Sequence, residues 1–316
     1  MPVTPRGVTR LRIRTWTAAA VIALASAALV TASPAAAHPR AAQPDAATPV
    51  EPQALPLPSP NRFVSNVDLE CFRTNPYTPP PLPTALVTRH LNPVLAGLPT
   101  EVTPLGVREK LCVPVAKNNV IPPPGVVDFV RFVDLSCYRT TGTNVNFPLN
   151  LRHLNPLLTT LPPRNVVITI PQHLCVPVIK NNVVPPPEVR QLVSFIDLKC
   201  YLEQPQASLN LPLNLRHLNP VFTGLAAHDV RVTLNRQLCV PVQKNSQPIP
   251  PAVLNIVRWL DLEMFDIVTP ALTTPVSLTI RHINPLLANL PPEPVTIQQA
   301  IQLGLPMAKN GLIPPL

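Results

Sequence analysis

The stretch Leu111-Cys112-Val113-Pro114-Val115-Ala116-Lys117-Asn118 returns as Leu174 to Asn181 and again as Leu238 to Asn245. A fourth version reads Leu303-Gly304-Leu305-Pro306-Met307-Ala308-Lys309-Asn310. Its apolar, β-branched character is that of a strand. A proline inside a strand removes a ladder donor, so Pro114, Pro177 and Pro241 predict an edge strand or a bulge.

Two further landmarks keep their order around this one. Upstream stands Asp-Leu-x-Cys-aromatic: Asp68 to Phe72, Asp134 to Tyr138 and Asp197 to Tyr201, with Asp261-Leu262-Glu263-Met264-Phe265 as the fourth copy. Between them stands Arg-His-Leu/Ile-Asn-Pro, at Arg89-His90, Arg152-His153, Arg216-His217 and Arg281-His282 with the residues that follow. Four ordered copies of three landmarks, at a period of about 63 residues, demand a repeat architecture. The expectation is an all-β protein of four tandem small β units. The boundaries are 63–125, 126–188, 189–252 and 253–316. Strands are predicted over Phe129–Tyr138, over Leu149–His153 with its period of two, and over two short runs, Val166–Ile170 and Leu174–Val178. Pro-Pro runs such as Pro122–Pro124 and Pro185–Pro187 end each unit and read as stiff hinges or struts. Stiff connectors hinder tight closure, so a string of units is preferred to a closed ring.

The landmarks resemble an uncharacterised family of secreted bacterial repeat domains. That family carries a Cys-Tyr strand and a Leu-Cys-x-Pro-Val-x-Lys-Asn strand, and has no assigned activity. The resemblance covers about residues 63–316 and implies the architecture without a mechanism.

Composition sets the outer bounds. Proline contributes 47 of the 316 residues and glycine 8. That proline share, about three times the usual one, argues against a helical bundle. Scarce glycine without a Gly-X-Y period excludes collagen. A hydrophobic content of 46% against 13% charged residues excludes a disordered polar chain. Arg6, Arg10, Arg12 and Arg14 precede an apolar run, Trp16 to Ala32, and an Ala35-Ala36-Ala37 cleavage pattern. Residues 1–37 therefore read as a signal peptide, and 38–62 as a Pro/Ala-rich linker. The formal charge of +9 falls once the leader arginines are removed. The expected location is secreted, extracellular or associated with the cell envelope. The expected partners are an acidic envelope polymer or an extracellular protein, with no nucleic acid and no stable membrane insertion after cleavage.

Copies one to three each hold two cysteines and copy four lacks both, with Met264 and Gly304 in their places. Joint absence is what a bridge within each copy predicts: Cys71–Cys112, Cys137–Cys175 and Cys200–Cys239. The rival joins neighbours, Cys112–Cys137 and Cys175–Cys200. No close C-x-x-C pair points to zinc. Neither a metal nor another cofactor is expected.

The recurring polar residues carry two readings. His90, His153, His217 and His282 could converge on one axis around a metal, or end strands with a backbone hydrogen bond; the second is preferred. Arg89, Arg152, Arg216 and Arg281, with Lys117, Lys180, Lys244 and Lys309, could bind an anion once per copy. Otherwise they pair with the recurring aspartates, which is again preferred. Asn118, Asn181 and Asn310 suit a left-handed turn. His228-Asp229 is an isolated pair of surface type. No nucleophile, metalloprotease or phosphate-loop motif occurs. The functional expectation is a non-enzymatic structural or multivalent binding protein of the cell exterior. The alternative is a protease inhibitor presenting rigid Pro-rich loops.

Overall fold

The computed structural model describes residues 55–316. The expected leader and most of the linker lie outside these residues. The end of the linker does not: helix α1 (Pro60–Val64) buries Pro60, Phe63 and Val64, and Leu55 and Leu57 pack on the core. The linker boundary at residue 62 is therefore too late, because these apolar side chains belong to the folded body.

One element order recurs. After α1 come β1 (Leu69–Tyr77), β2 (Val87–His90), β3 (Glu101–Val102) and β4 (Arg108–Lys117). Then follow α2 (Val127–Val130), β5 (Leu135–Arg139), β6 (Phe147–His153) and β7 (Arg164–Lys180). The third round is α3 (Pro187–Val193), β8 (Leu198–Gln204), β9 (Ser208–His217) and β10 (His228–Lys244). The fourth is α4 (Pro251–Val257), β11 (Leu262–Val268), β12 (Val276–His282) and β13 (Glu293–Lys309). Two expected runs around Val166 and Leu174 are thus one strand of 17 residues. The strand expected over Phe129–Tyr138 is corrected: Phe129 and Val130 lie in α2 and only Leu135 onward is extended. The proline runs do not act only as struts, since Pro187 and Pro251 open α3 and α4. Proline fits a helix's first turn, where its missing N–H has no partner to lose.

The strands close on themselves. Within each sequence copy the first strand pairs with the last: β1 with β4, β5 with β7, β8 with β10 and β11 with β13. Between copies, β4 pairs with β5, β7 with β8 and β10 with β11. Finally β13 pairs back with β1. The circuit is an eight-stranded antiparallel barrel, so the preferred string is corrected to a ring. Full closure leaves no edge among these eight strands, which a string of small sheets would expose.

The middle strand of each copy lies outside this circuit and is exchanged across it. β2 and β9 pair with the far ends of β10 and β4, and β6 and β12 with those of β13 and β7. Copies one and three, and copies two and four, are thereby interleaved. The exchange also explains the prolines. The Leu-Cys-Val-Pro strands are interior, not edge strands. Each proline sits where one neighbour ends and the exchanged strand begins: β5 leaves β4 at Cys112, and β9 joins at Val115. No ladder donor is needed at Pro114, so proline is tolerated there.

Alternation along the barrel strands separates two faces. One face carries Leu69, Cys71, Leu135, Cys137, Leu198, Cys200, Leu262 and Met264, which share a buried cluster with all four helices. This is the barrel interior, closed at one end by the helices. Around it runs a belt of sulfur. The bridges are Cys71–Cys112, Cys137–Cys175 and Cys200–Cys239. Sulfurs of adjacent copies approach to 3.8 Å (Cys112 to Cys137) and 3.7 Å (Cys175 to Cys200). At the fourth position the Met264 side chain fills the belt: a Cβ on Gly304 would lie 2.9 Å from its sulfur.

Candidate functional site

Most recurring polar residues prove to be joints of the ring. Each aspartate is buried against the lysine of its own copy: Asp68 with Lys117, Asp134 with Lys180, Asp197 with Lys244 and Asp261 with Lys309. The next copy's Arg-His-x-Asn-Pro asparagine donates to it: Asn155 to Asp68 (2.8 Å), Asn219 to Asp134 (2.7 Å) and Asn284 to Asp197 (3.0 Å). Asn92 donates to Asp261 (2.8 Å) and so completes the circle. Burial pushes Asp134 up and Lys180 down, and each draws the other back. The expected ion pairs are therefore buried latches rather than weak exposed pairs, and the lysines are not available to a ligand. Asn118, Asn181, Asn245 and Asn310 all have positive φ. Their side chains accept from the backbone of the diagonal copy, at Asn214, Thr279, Val87 and Asn150.

The four histidines do not share an axis. Each packs beside the aromatic of the diagonal copy: His90 by Tyr201, His153 by Phe265, His217 by Phe72 and His282 by Tyr138. Two of them bond side chains and not the backbone carbonyl expected: His90 Nε2 meets the Tyr201 hydroxyl at 2.9 Å, and His282 Nε2 the Tyr138 hydroxyl at 3.2 Å and Glu293 at 3.0 Å. Burial pulls His90 and His153 down to about 4, so both are neutral. Arg89, Arg152, Arg216 and Arg281 remain exposed, and none forms an ion pair among the described residues.

A site for chemistry must therefore be sought where the four-fold pattern breaks. The largest break is at the barrel end opposite the helices, which opens into a cavity of about 800 Å³. Its floor is Lys110, one step along β4 from the sulfur belt and only 5% exposed. The ammonium donates across the interior to Gln237 Oε1 (3.2 Å) and Gln302 Oε1 (2.9 Å). It forms no salt bridge among the described residues. Its counterparts on β7, β10 and β13 are His173, Gln237 and Gln302, so the cation is unique to one copy. Burial pulls Lys110 down to about 8, and the nearby Glu109 and Asp266 carboxylates resist this.

The carboxylates of the rim are engaged elsewhere. Glu109 binds Arg139 and, at 2.8 Å, His173, and the His173 hydrogen bond holds it down at about 2. Asp266 binds Arg236. Arg73 lines the rim and has no carboxylate partner among the described residues. Apolar walls come from Val107, Leu234, Ile267 and Ala300. A buried ammonium with only neutral partners, under a basic rim and between apolar walls, is built to take an anionic group on a partly apolar body.

No feature of the sequence marked Lys110, because it is unlike its counterparts and stands outside the landmarks. Its only sequence signal is a lysine directly before Leu-Cys, where the other cysteine copies have His173 or Gln237. No family model matches the chain, nor does any curated protein or solved structure.

Proposed function

We propose that the chain is an exported, non-enzymatic binding protein of the cell exterior that captures an anionic molecule in the mouth of its barrel. One observation carries this: Lys110, a buried cation without a carboxylate partner, floors a cavity of about 800 Å³. Three bridges support an oxidising compartment. No helix among the described residues is long and apolar enough to cross a membrane. The same groups appear once rather than four times at the mouth, which favours one ligand per chain there.

The test uses 8-anilinonaphthalene-1-sulfonate, an apolar anion followed by fluorescence, with aliphatic and aromatic carboxylates as competitors. One probe should bind per chain, and Lys110→Met should weaken it at least tenfold. Deprotonation of Lys110 removes the charge, so affinity should fall as pH rises through about 8. Equal binding by the variant, at a pH where the chain is folded, refutes the reading.

A second reading rests on the four exposed arginines. Held at fixed spacing by a closed ring, they would engage an acidic envelope polymer at several points, with avidity set by geometry. Co-sedimentation with isolated envelope should then fade with salt, and should drop when all four become glutamine. The inhibitor alternative draws on exposed apolar pairs beside the proline runs, Val120-Ile121, Val183-Val184 and Leu312-Ile313. A panel of extracellular proteases with no inhibition removes it.

A further inference from the structure

The diagonal exchange of strands creates four equivalent buried polar positions, and one of them lacks a fixed cation. In each, a landmark histidine and the first residue of the following strand meet a charged residue of another copy: a barrel-strand residue of the diagonal copy at three positions, and at His282 the first residue of β4 in the adjacent copy. Beside His90, Glu101 binds Lys199. Beside His153, Arg164 binds Glu263. Beside His282, Glu293 binds Arg108 at 2.8 Å. At the fourth position the carboxylate is Glu70 of β1, and its partners are two imidazoles, His217 at the end of β9 and His228 at the start of β10. No lysine or arginine pairs with Glu70 among the described residues.

The atoms are arranged as ligands. One ligand atom from each of Glu70, His217 and His228 falls within 4.8 Å of the other two. His228 Nε2 lies 2.8 Å from Glu70 Oε1, and His217 Nε2 lies 3.5 Å from Glu70 Oε2. Glu70 is fully buried, and both its Oε2 and His217 Nε2 are without a hydrogen-bond partner. Buried polar atoms left unpaired in this way call for an explanation such as an ion. The His228 imidazole also meets the backbone of Ala226. His217 is fixed between Phe72 and Phe222. Both histidines border a cavity of about 200 Å³, so a fourth coordination position faces open space.

We propose that Glu70, His217 and His228 bind a divalent first-row metal ion, zinc in the first instance, in place of the lysine or arginine of the other three positions. Two neutral imidazoles and a carboxylate form a donor set that suits zinc, with one position open to a small ligand. The site is independent of the Lys110 cavity.

The test is equilibrium dialysis of the full chain against Zn²⁺, with Co²⁺ absorption as a report of coordination. The native protein should retain one metal per chain, and cobalt should give the intense visible bands of a four-coordinate site. His228→Ala, at a half-buried position, and Glu70→Gln should each weaken binding by about a hundredfold or more, since even outer-shell changes cost roughly 10–100-fold. Asp229→Asn, beside the site but exposed, should leave it unchanged. Lys110→Met should retain the metal even if it loses the anionic probe. No stoichiometric metal in the native chain, or equal retention by folded His228→Ala, overturns the proposal.

Discussion

The belt of sulfur can be completed. Met264 and Gly304 face each other across β11 and β13 in the register that Cys71 and Cys112 hold across β1 and β4. Replacing both by cysteine should close a fourth bridge. A methionine side chain and a glycine hold as many heavy atoms as two cysteines, so the buried volume is nearly conserved and little cavity term arises. The new loop of about 40 residues resembles the native ones, and the chain-entropy model gives about 4 kcal/mol for it. For a body of this size that corresponds to a rise in melting temperature on the order of 10 °C, at roughly 2–4 °C per kcal/mol. Calorimetry under non-reducing conditions, with thiol titration of the unfolded chain, would measure it. The single change Gly304→Ala should act in the opposite direction, by about 1–3 kcal/mol, because its Cβ would press on the Met264 sulfur. Two free thiols in the double variant, or a bridged variant that melts with the native chain, would refute the claim that Met264 stands in the place of a disulfide.

Three further outcomes are expected. Asp134→Asn should cost about 3–5 kcal/mol in denaturant unfolding, because Lys180 is left buried without its counter-ion, whereas Asp134→Leu with Lys180→Met should cost less than the sum of its parts. Glu203 is pushed up to about 9 by burial and by the neighbouring Glu263. A carboxyl with a raised folded pKa binds protons more readily than in the unfolded chain, so stability should fall as pH rises from about 4.5 toward 9. Glu203→Gln should flatten that slope in melts taken across the range; an unchanged slope would show that Glu203 does not titrate there. Finally, Asn219→Ala should cost about 1–3 kcal/mol by leaving the buried Asp134 Oδ2 unsatisfied while Lys180 holds Oδ1, and a variant with unchanged stability would remove the latch from the account.

The β content could be read from the sequence because period-two alternation and proline placement are local signals. Ring closure could not be read, because it depends on β13 meeting β1, and the proline runs that favoured a string turn into helix starts at Pro187 and Pro251. Phe129 misled for a related reason. An apolar, β-branched run suits a strand equally well as a short helix that plugs a barrel end. The aspartate, lysine and asparagine landmarks were visible as a set, but their burial came only from the exchange of strands between copies. Lys110 and His228 carried the opposite signal: each departs from its counterparts. Four copies of one motif pointed to scaffold, and what sets the candidate sites apart is Lys110 and His228, which differ between copies, with His217 the one landmark residue among them.

The pairing of β1 with β13 also has a temporal side. A chain emerging from its N-terminus can form the hairpin-like contacts of its first copies early. The seam, however, waits for Ile297–Gly304 of β13, and the exchanged strands β2 and β6 wait for a partner two copies downstream. Contacts so distant in sequence slow folding. Until β13 has emerged the polypeptide remains an open ribbon, a form that can still be threaded through a pore, and the arrival of that one strand decides when the freedom ends.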